Sequence, residues 1–278
     1  MFYKHGHNGV VIYKSTLLDH VPHGFSTRVG GVSEEAHLSS LNLGFGKESD
    51  ANVRENRRRF AVACGVGEEH HIGDVFTSAR EQIHTDIVNY VTEDTAAEDY
   101  VCDGFYTDRV GVTVAVKTAD CVPILLASDD GDVVAAVHAG WRGTAYGIAA
   151  VAVERMRLLG VDVGKVRAAI GPSISPRRFR VGDDFSGQLY ENMKRSRVSA
   201  VADSADELSR SFILPYADGA HCDLWELNRK ILTLVGVRDE NVDVSHICTY
   251  ENEELFYSHR RTGAQRGVMA SLIAPKFV

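Results

Sequence analysis

The chain has 278 residues, enough for one large domain that buries most of its apolar surface without disulfide staples. Hydrophobic content of 44% suits a soluble globular protein, and a formal net charge of −8 argues against a dedicated binder of nucleic acid or anionic membrane, which would be basic. No apolar run approaches the roughly 18 residues of a membrane span, no secretory signal opens the chain, and the five cysteines contain no CxxC pair, so reduced thiols in the cytoplasm are expected.

In chain order, VVIYK (10–14) reads as a strand, 51–64 as a helix capped by Asp50, and DVFTS (74–78) as a second strand. Three strands follow: TVAVKT (113–118), VPILLA (122–127) and VVAAV (133–137). The last two are apolar on successive residues, which predicts strands covered on both faces. A helix is expected over 144–159 after Gly143, stopped by Gly160, then a strand at VRAAIG (166–171) and a helix over 183–195. The polar, weakly patterned stretch 196–211 reads as a surface excursion. A helix over 223–235, capped by Asp223 and stopped by Gly236, precedes a closing strand at VMASLIA (268–274). There is no repeat and no Pro/Gly/Ser-rich linker, so residues 1–278 are expected to form a single domain. Strands and helices that do not alternate strictly predict an α/β sandwich with a mixed sheet.

Two segments carry candidate chemistry. In VVAAVHAGWRG (133–143) a buried strand ends at His138, followed by a tight turn with Arg142 and a helix start, where α/β folds gather ligands. In TVAVKTADCVPILLA (113–127) Asp120 and Cys121 interrupt two apolar strands, and the charge of Asp120 must be satisfied locally. The bland alternatives are a hydrogen-bonded core histidine and a small core cysteine. Adjacent antiparallel strands would bring Cys121 and His138 together across one hairpin. Such a pair serves either as thiolate nucleophile and general base, or as two ligands of a zinc site needing one more.

Further segments join these two: HGFSTRVGGVS (23–33), LNLGFG (41–46), VRENRRRF (53–60), EQIH (81–84), DGFYTD (103–108), AIGPSIS (169–175), LNRKIL (227–232) and CTYENEELFYSHRR (248–261). With ADC-P and HAGWRG, the set resembles the bacterial YfiH-like family, labelled laccase-domain or multicopper polyphenol oxidoreductase and also purine nucleoside phosphorylase. The resemblance implies an αββα sandwich similar to the catalytic domain of cytotoxic necrotizing factor. It implies one zinc on His84, Cys121 and His138, with copper as the alternative metal. The family usually has glycine after the first histidine, where this chain has Thr85.

The implied reactions are phosphorolysis of adenosine, inosine and methylthioadenosine, and hydrolytic deamination of adenosine; the implied partners are a purine nucleoside and phosphate. Zinc on such ligands lowers the pKa of water to about 7. The glycine-flanked loop 26–31, with the Arg28 guanidinium and free backbone N–H groups, is the expected phosphate cradle. Cys121, His138 and Arg28 are therefore the catalytic candidates, and Arg28, Asn42, Arg142 and Arg260 the substrate-binding ones. A four-copper laccase would need several His-x-His pairs, and only His5-Gly6-His7 is present. Two alternatives stay open: a metal-independent cysteine hydrolase acting on peptidoglycan precursors, and a zinc-stabilised interaction module closed by Cys102 or Cys248.

Overall fold

The hairpin expected around Cys121 organises the molecule. In the computed structural model, which describes residues 1–67 and 76–277, fourteen strands run in chain order among the described residues. The first seven are β1 (Phe2–His7), β2 (Val10–Ser15), β3 (His23–Ser26), β4 (Thr77–Ser78), β5 (Val88–Tyr90), β6 (Gly104–Thr107) and β7 (Val114–Thr118). The others are β8 (Val122–Ala127), β9 (Val134–Ala139), β10 (Arg167–Ile170), β11 (Ile213–Tyr216), β12 (Gly219–Cys222), β13 (Val242–Val244) and β14 (Met269–Ile273). The helices are α1 (Asp50–Cys64), α2 (Trp141–Tyr146), α3 (Ile148–Leu158), α4 (Phe185–Met193), α5 (Ser199–Asp203), α6 (Ala205–Ser211), α7 (Leu224–Leu234) and α8 (His259–Thr262).

One six-stranded sheet has the order β1-β2-β3-β14-β7-β4 and a second has β13-β10-β8-β9-β6-β5. Both are mixed: β4 runs parallel to β7, β10 to β13 and β5 to β6, while the remaining neighbours are antiparallel. The sheets stack through β7 and β14 against β8 and β9. Phe25, Val114, Val116, Leu125, Val134, Ala136 and Ile273 fill the space between them. Helix α1 covers the outer face of the first sheet with Phe60, Ala61 and Cys64 on Ile12, Ala115 and Leu272. Helices α3 and α7 cover the second with Val153, Met156, Leu227 and Ile231 on Ile124, Leu126 and Val137.

Alternation along a pleated strand sets each side chain's layer. Leu125 of β8 and Val134 and Ala136 of β9 enter the inter-sheet layer, whereas Ile124, Leu126, Ala135 and Val137 face the helices. Every residue of β8 and β9 is buried, as their unbroken apolar runs require. By the same period Cys121 and His138 point to the inter-sheet side, at its open end.

Several local expectations are corrected. Ser49, not Asp50, caps α1, its side chain accepting from the Asn52 N–H. The helix expected over 144–159 begins at Trp141 and breaks at Gly147 (φ 79°), which a residue with a Cβ adopts reluctantly, giving α2 and α3. The stretch 196–211 is not an excursion but holds α5 and α6, which bury Val201, Ala205 and Leu208. Of the strand expected at 74–78, residues 74 and 75 lie outside the described residues and Thr77–Ser78 is strand. Asp223 caps α7 as expected, accepting from Trp225 and Glu226 N–H groups. No helix among the described residues is long and apolar enough to cross a membrane.

Candidate metal centre

Strands β8 and β9 pair with Pro123 opposite His138 and Val122 opposite Ala139, so Cys121 meets His138 one step beyond the register. The third donor comes from a loop. His84 adopts a left-handed backbone (φ 61°), and the buried Asp103 at the mouth of β6 fixes that shape. Its carboxylate accepts the N–H groups of Ile83, His84 and Thr85 at 3.3, 3.0 and 2.7 Å and the Thr85 hydroxyl at 2.8 Å. The positive φ falls on His84, and the Thr85 hydroxyl ties the loop to Asp103.

The same Asp103 accepts from His138 Nδ1 at 2.8 Å, which turns Nε2 of that ring towards Cys121 and His84. The Cys121 sulfur lies 3.8 Å from His84 Nε2, and the two imidazoles meet edge to face with centroids 4.9 Å apart. One nitrogen of each ring and the sulfur all lie within 4.8 Å of one another. Burial would raise the Cys121 thiol pKa, but the neighbouring His138 charge and hydrogen bonds from both histidines bring it well below the ordinary thiol value. Burial likewise opposes charge on His138, yet the thiolate and Asp103 raise its pKa. Asp103 is held below the usual carboxylate range because bonds from His138 and Thr85 outweigh its burial.

Two imidazoles and a thiolate are borderline-soft donors that suit zinc or copper and not magnesium or calcium. Cys248 is buried and accepts from the Ser175 N–H, and Cys102 donates to the Gly104 carbonyl, so neither joins the cluster. Among the described residues the cluster therefore offers three donors that could hold a metal ion.

A pocket of about 410 Å³ opens onto this cluster. Trp141, Ile174, Phe179, Leu224 and Val268 form its apolar walls, with Lys117, Arg142, Arg260 and Arg266 as cations. No carboxylate lies within ion-pairing distance of any of the four among the described residues. The acidic residue on the lining is Asp120, and its charge is spent: it accepts from Thr249 Oγ1 (2.6 Å), Ser258 Oγ (2.9 Å) and the Arg260 N–H (2.7 Å). A chain of net charge −8 has thus concentrated unpaired positive charge at one apolar cleft.

Of the expected substrate-binding residues, Arg142 and Arg260 reach this pocket, but Arg28 and Asn42 do not. Arg28 stacks on Tyr257 and donates to the carbonyls of Ser39, Ala36 and Glu253, lining a separate surface depression. The backbone N–H groups beside it are also spent, Arg28 on Leu255, Val29 on Thr27 Oγ1, and Gly30 and Gly31 on Ser40 Oγ. The loop 26–31 is a brace and no oxyanion cradle. Asn42 is buried and accepts from the N–H groups of Gly44 and Val268, joining two loops. Sequence reasoning missed Asp103, Lys117, Arg266 and the aromatic wall. Lys117 had a signal, a lone cation in an otherwise apolar strand.

Comparison with known proteins agrees with this geometry. Residues 22–276 match the family model described as multi-copper polyphenol oxidoreductase laccase. The chain is 34% identical over 253 residues to a purine nucleoside phosphorylase of Deinococcus radiodurans, covering 91% of this chain and 88% of that one. It is 37% identical over 177 residues to the adenosine deaminase RL5 of an unknown prokaryotic organism, covering 64% and 63%. The crystal structure of the Bacillus licheniformis hypothetical protein YfiH superposes with a TM-score of 0.80 at 30% identity over 97% of both chains. A His-Cys-His cluster at the mouth of two stacked mixed sheets, on a chain matched from residue 22 to 276, makes this protein a member of the laccase-domain family whose relatives are named purine nucleoside phosphorylases.

Proposed function

We propose that the chain, acting as one domain over residues 1–278 in the cytoplasm, is a zinc-dependent purine nucleoside phosphorylase for adenosine, inosine and methylthioadenosine that also deaminates adenosine. The observation that carries this is the convergence of four unpaired cations and an aromatic wall on one pocket beside three metal donors. Phosphorolysis needs what such a pocket offers: positive charge for a phosphate and flat apolar faces for a purine. His84, Cys121 and His138 would hold the zinc, which when bound supplies a Lewis acid able to activate water at neutral pH. Zinc is favoured over several coppers because the described residues hold a single cluster of this kind. Trp141 and Phe179 would stack on the base, with Arg142 and Arg260 against its polar edge or the ribose. Asp103 would keep both histidines oriented. The four-layer order supports the likeness to the cytotoxic necrotizing factor catalytic domain.

The test is metal content with phosphate-dependent release of hypoxanthine from inosine. About one zinc per chain and cleavage abolished by chelation are the expected results. One observation favours a second reading: Cys121, His138 and Asp103 stand in the order of a cysteine-hydrolase triad, with Asp103 2.8 Å from His138. Full activity in metal-free protein would refute the zinc enzyme and promote the cysteine-hydrolase reading.

A further inference from the structure

We infer that the pocket is two-ended, with Lys117 and Arg266 forming the phosphate subsite and the Trp141–Phe179 wall holding the nucleoside. This rests on the phosphorylase reading and deepens it. The four pocket cations differ in how their donors are spent. Arg142 lies over the Trp141 ring at 4.4 Å. Arg260 lies 5.4 Å from the Phe179 ring centre and donates to the carbonyls of Arg178 and Arg180. Both are thus tied to the aromatic wall contributed by the second sheet's helices and loops.

Lys117 and Arg266 stand on the other side, on and beside β7 and β14 of the first sheet. The Lys117 ammonium makes one long contact, 3.5 Å to the Arg80 carbonyl, leaving the rest of its donor capacity unspent. Its backbone is rigid, since Gln82 bonds both its N–H and its carbonyl at 2.7 Å. Arg266 donates through Nη1 to the carbonyl of its own neighbour Gly267, and its Nε is buried without a partner. Its backbone carbonyl is pinned by Lys47. A half-buried guanidinium and ammonium, each with idle donors and no ion pair among the described residues, are costly to maintain and match the oxygens of a doubly charged anion. Both line the pocket that opens onto Cys121, so an anion held there would share that pocket with the metal donors and the nucleoside.

The experiment compares zinc-loaded wild type with Lys117→Met, Arg266→Gln and Arg142→Gln, following inosine phosphorolysis, adenosine deamination without phosphate, and calorimetric binding of inorganic phosphate. Lys117→Met and Arg266→Gln should each raise the phosphate KM by about tenfold or more while deamination changes less than about threefold. Arg142→Gln should raise the nucleoside KM and leave the phosphate KM unchanged. On wild type, inorganic phosphate but not chloride of equal ionic strength should protect Lys117 from acylation, read by mass spectrometry; this needs no variant to fold. Unchanged phosphate KM, equal loss in both reactions, or no protection of Lys117 would overturn the assignment. Wild type that binds phosphate at Lys117 yet cleaves no nucleoside would refute the phosphorylase and keep the anion site.

Discussion

Asp103→Asn tests whether one buried carboxylate holds the metal donors in place. Wild-type Asp103 accepts from His138 Nδ1, from the N–H groups of Ile83, His84 and Thr85, and from the Thr85 hydroxyl. An amide nitrogen cannot accept, so whichever way the asparagine turns, it loses the donors on one oxygen: His138 and His84 on one side, Ile83 and both Thr85 groups on the other. At about 1–2 kcal/mol for each lost bond to a charged acceptor, the metal-free protein should be destabilised by about 3–5 kcal/mol, matching the usual cost of breaking a buried pair. Zinc affinity should fall a further 10- to 100-fold or so, because either the His138 ring or the loop that carries His84 loses its anchor. Urea unfolding of metal-free protein and competition against a chromophoric chelator measure the two parts separately. The pH dependence has a definite sign. Asp103 is held below the usual carboxylate range, so its contribution is intact above about pH 4 and is lost as pH falls through its depressed folded value. Wild type and variant should therefore converge only in strong acid. A variant with wild-type zinc affinity and stability would refute the role assigned to Asp103.

Gly140→Ala would put a Cβ 2.6 Å from His84 Cδ2 and 3.3 Å from the Cys121 sulfur, so metal content after dialysis should drop although no donor is removed; wild-type zinc would mean that His84 can move aside freely. Cys121→Ser should abolish both activities and sharply weaken zinc binding while the fold survives, since the core spans two stacked sheets and does not depend on one metal. If that inactive protein binds zinc at wild-type affinity, Cys121 is a nucleophile and not a ligand. Lys117→Met should stabilise the protein. Burial and Arg57 lower the Lys117 pKa to about 8, so the folded state is penalised for its charge below that pH, and the penalty fades as pH rises towards 10.5. The gain should reach at most about 3 kcal/mol at pH 7 and shrink near pH 10 in denaturant titrations, while phosphate binding is lost. A gain that is the same at both pH values would show that the lysine charge is not the cause.

Cys121 and His138 were legible in the sequence because a hairpin of two uninterrupted apolar strands admits few registers, and pleat alternation then puts both side chains on one face. The helix caps at Asp223 and the stop at Gly236 were equally local. His84 came from resemblance alone, since nothing in one of twelve histidines marks it as a ligand. The tertiary structure decided everything that depends on where distant donors are spent. Arg28 beside three glycine-flanked N–H groups looks like an anion cradle until Ser39, Ser40, Leu255 and Tyr257 are seen to occupy it. Arg266 looks like an ordinary surface charge until the fold brings it to the pocket with Lys117, with no ion pair to either among the described residues. A hydrogen-bonding group's chemistry is set by which of its partners are already satisfied, and such a partner can lie far along the chain, as Leu255 lies 227 residues from Arg28, beyond the reach of any local pattern.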